Sequence, residues 1–154
     1  MAYQHMFRKD LIAFHWTAED ETQLFKQVAK ELLAKGLVKD SYLAGLMDRE
    51  AAFPTGLITK YLNIALPHCD TVHIETPFVY LVRLEESVTV KQMGDNQCME
   101  ARDFFFLGIK DPAEQVGLLQ ALMDLFMQEE FVAQYKQMDN SEQVYQLIME
   151  NLNN

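Results

Sequence analysis

The stretch PFVYLVRL, residues 77–84, decides the fold together with FFFLGI, residues 104–109. Both runs are almost continuously apolar, which is typical of central strands that are covered on both faces. Three shorter runs of similar character predict further strands: LIAFHW (11–16), LNIALP (62–67) and VTVKQM (88–93). Because the spacing between some of these runs is too short for a parallel crossover, we expect a mixed sheet.

Helical patterns lie on both sides of these strands in the sequence. Apolar residues at three- and four-residue spacing, with their flanking signals, predict helices at 19–35, from Ser41 to the turn at Pro54, after Pro112, at 129–138 and at 141–152, the last with Ser141 as its cap. Central strands with two apolar faces need a helix layer on each side. We therefore predict a single three-layer α/β domain over residues 1–154, with a mixed β-sheet flanked by helices on both faces.

The composition indicates a globular protein and excludes several classes. Of the 154 residues, 49% are hydrophobic, and 23 acidic against 13 basic side chains give a formal net charge of -10. Because that charge repels phosphate backbones, nucleic acid is not an expected partner. No apolar run could span a bilayer, and MAYQHMFRKD lacks the apolar centre of a signal peptide. We therefore expect a cytoplasmic protein without direct membrane insertion.

His68 directly follows a predicted strand, in the stretch NIALPHC (63–69). Pro67 fixes its own backbone and biases Leu66 towards extended structure, so the strand should end at a defined place. Loops at strand ends in α/β sheets are frequent ligand sites, and a neutral imidazole is a nucleophile at cellular pH. His68 is therefore a candidate catalytic residue. The alternative is a turn histidine that merely bonds a nearby backbone group.

The residues around His68 also suit two other kinds of chemistry. Cys69, Asp70 and His73 could join it in a zinc site, but adjacent ligands strain one tetrahedral centre, and no CxxC or HxxxH spacing is present. A hydrolase with Cys69 as nucleophile is disfavoured, because neighbouring strand residues point to opposite faces. We expect neither a metal nor a cofactor, and we expect Cys69 to be a small packing residue.

An arginine and a turn precede this strand in REAAFPTG, residues 49–56. Arg49 ends a predicted helix, and its planar guanidinium could clamp a phosphate; a solvated surface arginine is the alternative. The Thr55 hydroxyl and the amides of the Pro-Thr-Gly turn could also meet an anion. These residues and His68 together predict an anion site.

The pair REAAFPTG and NIALPHC closely resembles the signature of IIA components of the sugar phosphotransferase system, in the fructose and mannitol superfamily with its type 2 EIIA domain. PHC in place of PHG, and His73 five residues beyond His68, resemble the galactitol-specific branch of that family. The order of elements agrees over nearly the whole chain. The combination of the two motifs is specific, whereas a Pro-His dipeptide alone is not.

The resemblance implies a phosphotransferase component with a phosphohistidine intermediate. His68 would accept a phosphoryl group on its ε nitrogen from phospho-HPr and pass it to a cysteine of the IIB component. Uptake of a sugar or a galactitol-like polyol would then proceed through the membrane component IIC, which this chain meets only indirectly. Arg49 and Thr55 would stabilise the phosphate. A regulatory phosphoacceptor of the same fold, which controls transcription or metabolism instead of transport, is the alternative.

Relatives of the fructose and mannitol type carry a second active-site histidine at the start of the late helix, where this sequence places Gln115. Glutamine cannot become a cation, so His73 becomes a candidate helper and Gln115 a neutral donor. Because His68 must meet two partner proteins, its side chain should not lie under a closed lid. Phe53, Leu57 and residues of the late helix are candidates for an apolar docking ring; a pure core role for each of them is the alternative.

Overall fold

The computed structural model describes residues 3–152 of the chain, which form five strands and five α-helices. The strands are β1 (Phe7–Trp16), β2 (Gly56–Ile58), β3 (Asn63–Ala65), β4 (Phe78–Lys91) and β5 (Cys98–Gly108). The helices are α1 (Glu21–Ala34), α2 (Tyr42–Ala52), α3 (Gln115–Phe126), α4 (Glu129–Gln137) and α5 (Ser141–Asn151). Short 3-10 turns occupy Gln4–Met6, Thr71–His73 and Pro112–Glu114.

The central strands of the sheet are the two most apolar runs of the sequence. The strand order is β1-β4-β5-β3-β2, so that β4 and β5 lie side by side in the interior. β1 is parallel to β4 and β3 is parallel to β5, whereas β4 pairs antiparallel with β5 and β2 with β3. The predicted mixed sheet is therefore confirmed.

The two faces of the sheet bury separate hydrophobic cores. Phe106 faces α1 and α2, where its ring centroid lies 5.5 Å from that of Phe25. The neighbouring Phe105 faces α3, α4 and α5, where its centroid lies 4.9 Å from that of Phe126. Because successive strand residues point to opposite faces, a single apolar strand supplies both cores. The predicted three-layer architecture is confirmed.

The helix ends follow the local sequence closely. The Asp20 side chain caps α1 by accepting a hydrogen bond from the amide of Gln23, and Gly36 lies just beyond the helix end with a φ of 74°. The predicted cap of α5 was wrong by one residue, because Asn140 and not Ser141 accepts the free amides of Glu142 and Gln143. Within residues 3–152, no helix has the length and apolar character needed to cross a membrane.

The strand bounds differ from the prediction, most of all for β4 and β2. β1 begins earlier than predicted, at Phe7, and β5 begins earlier, at Cys98. The runs at 77–84 and 88–93 belong mostly to one continuous strand, β4, because the polar stretch between them forms a register shift against β5 and not a turn. β2 was not predicted at all, since three residues give too short a pattern to recognise. The hairpin of β2 and β3 fixes the chain that runs on to His68.

Candidate functional site

His68 lies where the chain leaves β3 and runs beside the end of β5. The amide of Leu107 donates a 2.9 Å hydrogen bond to the carbonyl of Pro67, and His68 forms an isolated parallel bridge with Leu107. The strand-like pairing therefore extends past Pro67 and holds the backbone of His68 against a central strand. The predicted delivery of this histidine at the strand end agrees with this geometry.

The two ring nitrogens of His68 have different surroundings. Nδ1 lies 2.7 Å from the carbonyl oxygen of Leu66, and since a carbonyl can only accept, Nδ1 carries the proton. Nε2 is buried without a hydrogen-bond partner among the described residues. Burial lowers the pKa of His68 from its usual 6.5, and the positive charge of Arg49 lowers it further, against the opposing effect of the Leu66 bond. The ring is thus a neutral imidazole with a free Nε2 lone pair.

The accessibility of His68 differs from the expectation. Only 4% of the residue is exposed, as for its neighbour Cys69. The expectation of an open side chain was wrong for this conformation, because the pairing with Leu107 and the bond to Leu66 draw the ring in towards the sheet. The lone pair of Nε2 is therefore formed but shielded from solvent.

Arg49 lies in the last turn of α2 and is held by Phe53. Its guanidinium carbon lies 4.7 Å from the centroid of the Phe53 ring, and Nη1 donates a 3.2 Å hydrogen bond to the Phe53 carbonyl. Its charge adds to the lowering of the His68 pKa that burial causes, and it offsets part of the rise that burial causes in the pKa of Cys69. Arg49 therefore acts electrostatically on His68, and most of its guanidinium donors make no hydrogen bond within residues 3–152.

Thr55 is buried and directs both of its donors to Glu50. Its amide lies 2.9 Å from Glu50 Oε2, and its hydroxyl lies 2.9 Å from Glu50 Oε1. The carbonyl of Thr55 accepts a hydrogen bond from the amide of Leu66, the residue that fixes the tautomer of His68. The phosphate role of Thr55 stays a prediction. In the structure, Thr55 supports the segment that carries His68.

Glu50 is the member of this cluster that sequence reasoning missed. It is 5% exposed, and burial raises its pKa above the usual 4.5 while the two bonds from Thr55 act in the opposite direction. The signal was present in REAAFPTG, since a threonine five residues after a glutamate at a helix end can bond back to it. From sequence alone, a glutamate at a helix end is expected to be a solvated surface charge, because glutamate is rarely buried.

The two candidate helpers lie in different surroundings. His73 Nδ1 is 2.7 Å from the Ser41 hydroxyl, and its ring packs so closely on α2 that a Cβ on Gly45 would lie 2.5 Å from Nε2. Gln115 opens α3 and is half-buried, with no side-chain hydrogen bond within residues 3–152. The helper roles of both residues remain predictions. His73 is engaged with α2 through Ser41 and Gly45.

The residues beside His68 give no support to metal chemistry. Within the described part of the chain, no group of three or more His, Cys, Asp or Glu side chains could hold a metal ion. Cys69 is buried, and this burial raises the pKa of its thiol to about 12, so the thiolate that a metal or a nucleophilic mechanism needs is disfavoured. Cys69 packs in the same core as Phe78 and Tyr42.

Three large apolar side chains are exposed next to candidate site residues in the chain. Phe53 is 64% exposed and holds Arg49, Val72 is 61% exposed between His68 and His73, and Val116 is 77% exposed directly after Gln115. Leu57, which was also expected here, is half-buried in the core on the α3 side. Exposed apolar residues on three separate segments are suited to protein docking.

A match to a protein family extends over almost the whole chain. The model of the family described as "Phosphoenolpyruvate-dependent sugar phosphotransferase system, EIIA 2" matches residues 5–151. Together with the mixed sheet and its strand-end histidine, this match defines a IIA component of a sugar phosphotransferase system. The chain belongs to this EIIA 2 family, which is a family of phosphotransferase components.

Its relatives include the galactitol-specific EIIA component of Escherichia coli strain K12. The two are 32% identical over 113 residues, which cover 73% of this chain and 75% of the relative. The same component of Escherichia coli O157:H7 matches with the same figures. The resemblance to the galactitol-specific branch is thereby confirmed.

Solved structures share the fold at low sequence identity. The nitrogen regulatory protein IIA-Ntr of Neisseria meningitidis has a TM-score of 0.76 at 16% identity, covering 96% of this chain and 99% of its own. The mannitol IIA of Escherichia coli, in its complex with phosphorylated mannitol IIB, has a TM-score of 0.75 at 17% identity, covering 94% and 99%. These likenesses show that the chain shares the fold of both proteins.

Proposed function

We propose that the chain is the phosphocarrier of a sugar or polyol transport system, with His68 as the residue that carries the phosphoryl group. The observation that carries this proposal is the tautomer of His68: Nδ1 donates to the Leu66 carbonyl, so Nε2 holds a free lone pair. A neutral imidazole is needed because a protonated ring has no electron pair to offer. Membership of the EIIA 2 family supports the reaction class.

The proposed transfer needs little covalent work from the protein. The Nε2 lone pair attacks the phosphorus of phospho-HPr in line, and the bond to the donor histidine breaks, with its electron pair returning to the donor ring. The proton on Nδ1 stays in its bond to Leu66 throughout. In the second transfer, a cysteine thiolate of the IIB component attacks the same phosphorus and the electron pair of the broken bond returns to Nε2. The ring thus ends each cycle in the tautomer with which it began.

The neighbouring residues supply the polar surroundings. Arg49 has guanidinium donors without a partner among the described residues, and its charge already acts on His68, so it stabilises the equatorial phosphate oxygens. The Gln115 amide donates to the same phosphate as a neutral group, and His73 assists through its ring or by ordering the loop. Thr55 contributes mainly through Glu50, since both of its donors already bond that carboxylate.

The shielding of His68 requires a step before transfer. The ring rotates or the segment at 66–69 opens outwards when a partner docks on the exposed apolar residues Phe53, Val72 and Val116. A docking surface that must serve HPr and IIB in turn is best kept small and its contacts weak. The chain works in the cytoplasm with both partners and meets IIC only through IIB. The identity of the sugar, galactitol by kinship with the galactitol-specific relatives, is set by the IIB and IIC chains.

The central test is phosphorylation of a His68→Ala variant. We expect purified phospho-HPr to label the wild type with an acid-labile phosphate and to leave this variant unlabelled, because no other ring replaces Nε2. His5→Ala is the matched control, since it removes an exposed histidine elsewhere and should label normally. Normal labelling of His68→Ala would overturn the proposal.

Transport and regulation are separated by a second transfer. Phosphorylated wild type is mixed with a purified galactitol-type IIB component, and the phosphate on the IIB cysteine is measured. Transfer supports the transport role, whereas labelling of His68 with no onward transfer to that IIB component points to a regulatory phosphoacceptor. The shared fold of the regulatory IIA-Ntr protein makes this arm necessary.

A further inference from the structure

A polar cavity lies at the other end of β3 from His68. Its volume is about 480 Å³, which is within the usual range for small-ligand sites. Ile64 of β3 pairs with Asp103 of β5, and His68 pairs with Leu107, so the cavity and His68 are about 13 Å apart along the two parallel strands. The cavity is lined by residues 59–63 and by side chains of β4, β5 and α4.

The charge of this cavity is opposite to that of the whole chain. Four of its lining side chains are basic and two are acidic, whereas the chain as a whole carries a formal net charge of -10. The four bases are Lys60, Arg83, Arg102 and Lys136. Basic side chains gathered in one concavity of an acidic protein concentrate anions locally.

Arg83 is a fixed part of this cavity and not a loose surface charge. Its side chain is 11% exposed, and Nε donates a 3.0 Å hydrogen bond to Asp103, which is 6% exposed. Nη2 donates a 2.8 Å bond to the Tyr135 carbonyl, and Nη1 donates to the Met138 carbonyl at the end of α4. The Tyr135 hydroxyl completes the network with a 2.7 Å bond to Asp103. These bonds hold Arg83 and Asp103 in place on one side of the cavity before any ligand binds.

The remaining bases keep their donors available. Arg102 uses only Nε, which donates to the Leu84 carbonyl, and its two terminal nitrogens make no hydrogen bond within residues 3–152. Lys60 Nζ lies 5.5 Å from the centroid of the Tyr61 ring and makes no hydrogen bond or ion pair within the same range. Lys136 donates a single 3.2 Å bond to the Tyr61 carbonyl. Since Asp103 already balances Arg83, these three cations face one exposed carboxylate, that of Glu100.

We propose that this cavity binds a small phosphate monoester that also carries hydroxyl groups, such as a sugar phosphate. The terminal nitrogens of Arg102 form a fork that matches two phosphate oxygens, and Lys60 and Lys136 neutralise the remaining charge. Glu100 accepts bonds from Ser87 and Thr89, and its remaining lone pairs accept from ligand hydroxyls. The predominantly polar lining suits a hydroxylated anion better than an apolar ligand.

Calorimetry at low ionic strength tests this site with three probes: inorganic phosphate, a hexose 6-phosphate and the free hexose. We expect the hexose phosphate to bind more tightly than inorganic phosphate, and the free hexose not to bind. Arg102→Gln should weaken hexose phosphate binding about tenfold or more, because a charge-assisted fork is lost. Rising salt should weaken binding in the wild type.

Matched variants make the result specific. Arg8→Gln removes an exposed arginine paired with Asp10 outside the cavity, and it should bind as the wild type does. His68→Ala should also bind normally, which separates this site from the proposed phosphoryl transfer. Three results would overturn the proposal: loss of binding in His68→Ala, unchanged binding in Arg102→Gln, or no binding of either inorganic phosphate or hexose 6-phosphate. None of them would affect the function proposed for His68.

Discussion

His68 has two nitrogens with separate tasks, one that anchors the ring and one that is free for chemistry. The anchor is the bond from Nδ1 to the Leu66 carbonyl, and the free lone pair is that of Nε2. Burial and the charge of Arg49 both favour the neutral ring. At the scale of the residue, the chain therefore keeps its proposed nucleophile in the reactive form without a dedicated general base.

The pH dependence of His68 follows from its lowered pKa. We expect the ring signals of His68 in an NMR titration to change at a pH below 6.5, because burial and Arg49 disfavour the imidazolium. The rate of phosphorylation should stay constant as the pH falls to that midpoint. At lower pH the rate should decrease, because protonation removes the lone pair of Nε2. In Arg49→Gln the midpoint should move upwards. A titration of wild-type His68 at or above pH 6.5 would contradict this prediction.

Arg49 is expected to act on rate more than on stability. In Arg49→Ala one charge-assisted contact to the phosphate is lost, worth about 1.5 to 3 kcal/mol, so transfer from phospho-HPr should slow by roughly ten- to a hundredfold. Arg49→Lys should recover part of the rate, since it keeps the charge and loses the planar fork. Single-turnover labelling measures both. Equal rates for Arg49→Ala and the wild type would remove Arg49 from the mechanism.

Sequence reasoning singled out three residues of the candidate site, and their roles in binding and catalysis remain predictions. His68, Arg49 and Thr55 were all expected in an anion site on the strength of a strand-ending proline and a helix-ending arginine. What the sequence did not reveal was burial: Glu50 takes both donors of Thr55, and His68 is shielded. Side-chain partners depend on how α2 and β3 meet in space, and spacing along the chain does not encode that contact.

At the scale of elements, α2 and the turn at Thr71–His73 fit together through one glycine. The ring of His73 lies against the backbone of α2 at Gly45 and bonds Ser41 one turn earlier. A helix-interior glycine weakens a helix, by about 1 kcal/mol relative to alanine. Its presence here is explained by the close approach of the ring, which leaves no room for a side chain.

Gly45→Ala should therefore destabilise the protein despite alanine's better helix propensity. The added Cβ would lie 2.5 Å from His73 Nε2, so the ring must move and give up its bond to Ser41, at a cost of about 1 to 3 kcal/mol. In the double variant Gly45→Ala/His73→Ala the clash is absent. Denaturant unfolding should show the Gly45→Ala change as stabilising or neutral in the His73→Ala background. The same loss in both backgrounds would contradict the contact.

The elements themselves were predicted unevenly, for a physical reason. Helices and central strands carry long apolar patterns, and all five helices and the interior strands β4 and β5 were expected. The length of β4 was missed because its polar middle, near Glu85 and Glu86, is exposed at a register shift that resembles a turn in sequence. β2 was missed because an edge strand of three residues depends on its partner, β3, and not on its own pattern.

At the scale of the whole molecule, two acidic side chains that share one cavity make the stability depend on pH. Glu21 and Glu50 both line a cavity of about 350 Å³ beside Lys91, and Oε2 of Glu21 is buried without a partner among the described residues. Burial, followed by the charges of Glu50 and Asp20, raises the pKa of Glu21 to about 7. Near neutral pH this carboxyl is therefore close to losing its proton.

The free energy of unfolding should fall as pH rises between about 4.5 and 7. In the unfolded chain Glu21 loses its proton near 4.5, whereas the folded protein holds it to about 7, so the folded state binds more protons in this window. Because Glu21 is partly solvated, we expect a loss of about 1 to 2 kcal/mol from this residue. Denaturant titrations at pH 4.5 and pH 8 measure it.

Glu21→Gln should flatten this dependence, because an amide cannot ionise, and it should raise the stability above pH 7 relative to the wild type. Glu19→Gln makes the same change of charge at an exposed position close by and serves as the control. If both variants show the same pH profile, Glu21 is not the group responsible.

The acceptor that fixes the ring of His68 belongs to the main chain, and this protects it from ordinary mutation. Every residue type that could replace Leu66 carries the same carbonyl oxygen, so no single codon change there deletes the bond. An acceptor on a side chain would vanish with most substitutions. The reactive tautomer of His68 thus depends on the backbone of the sheet and not on the side chain of any one neighbour. The side chains around it can change without changing which nitrogen is free.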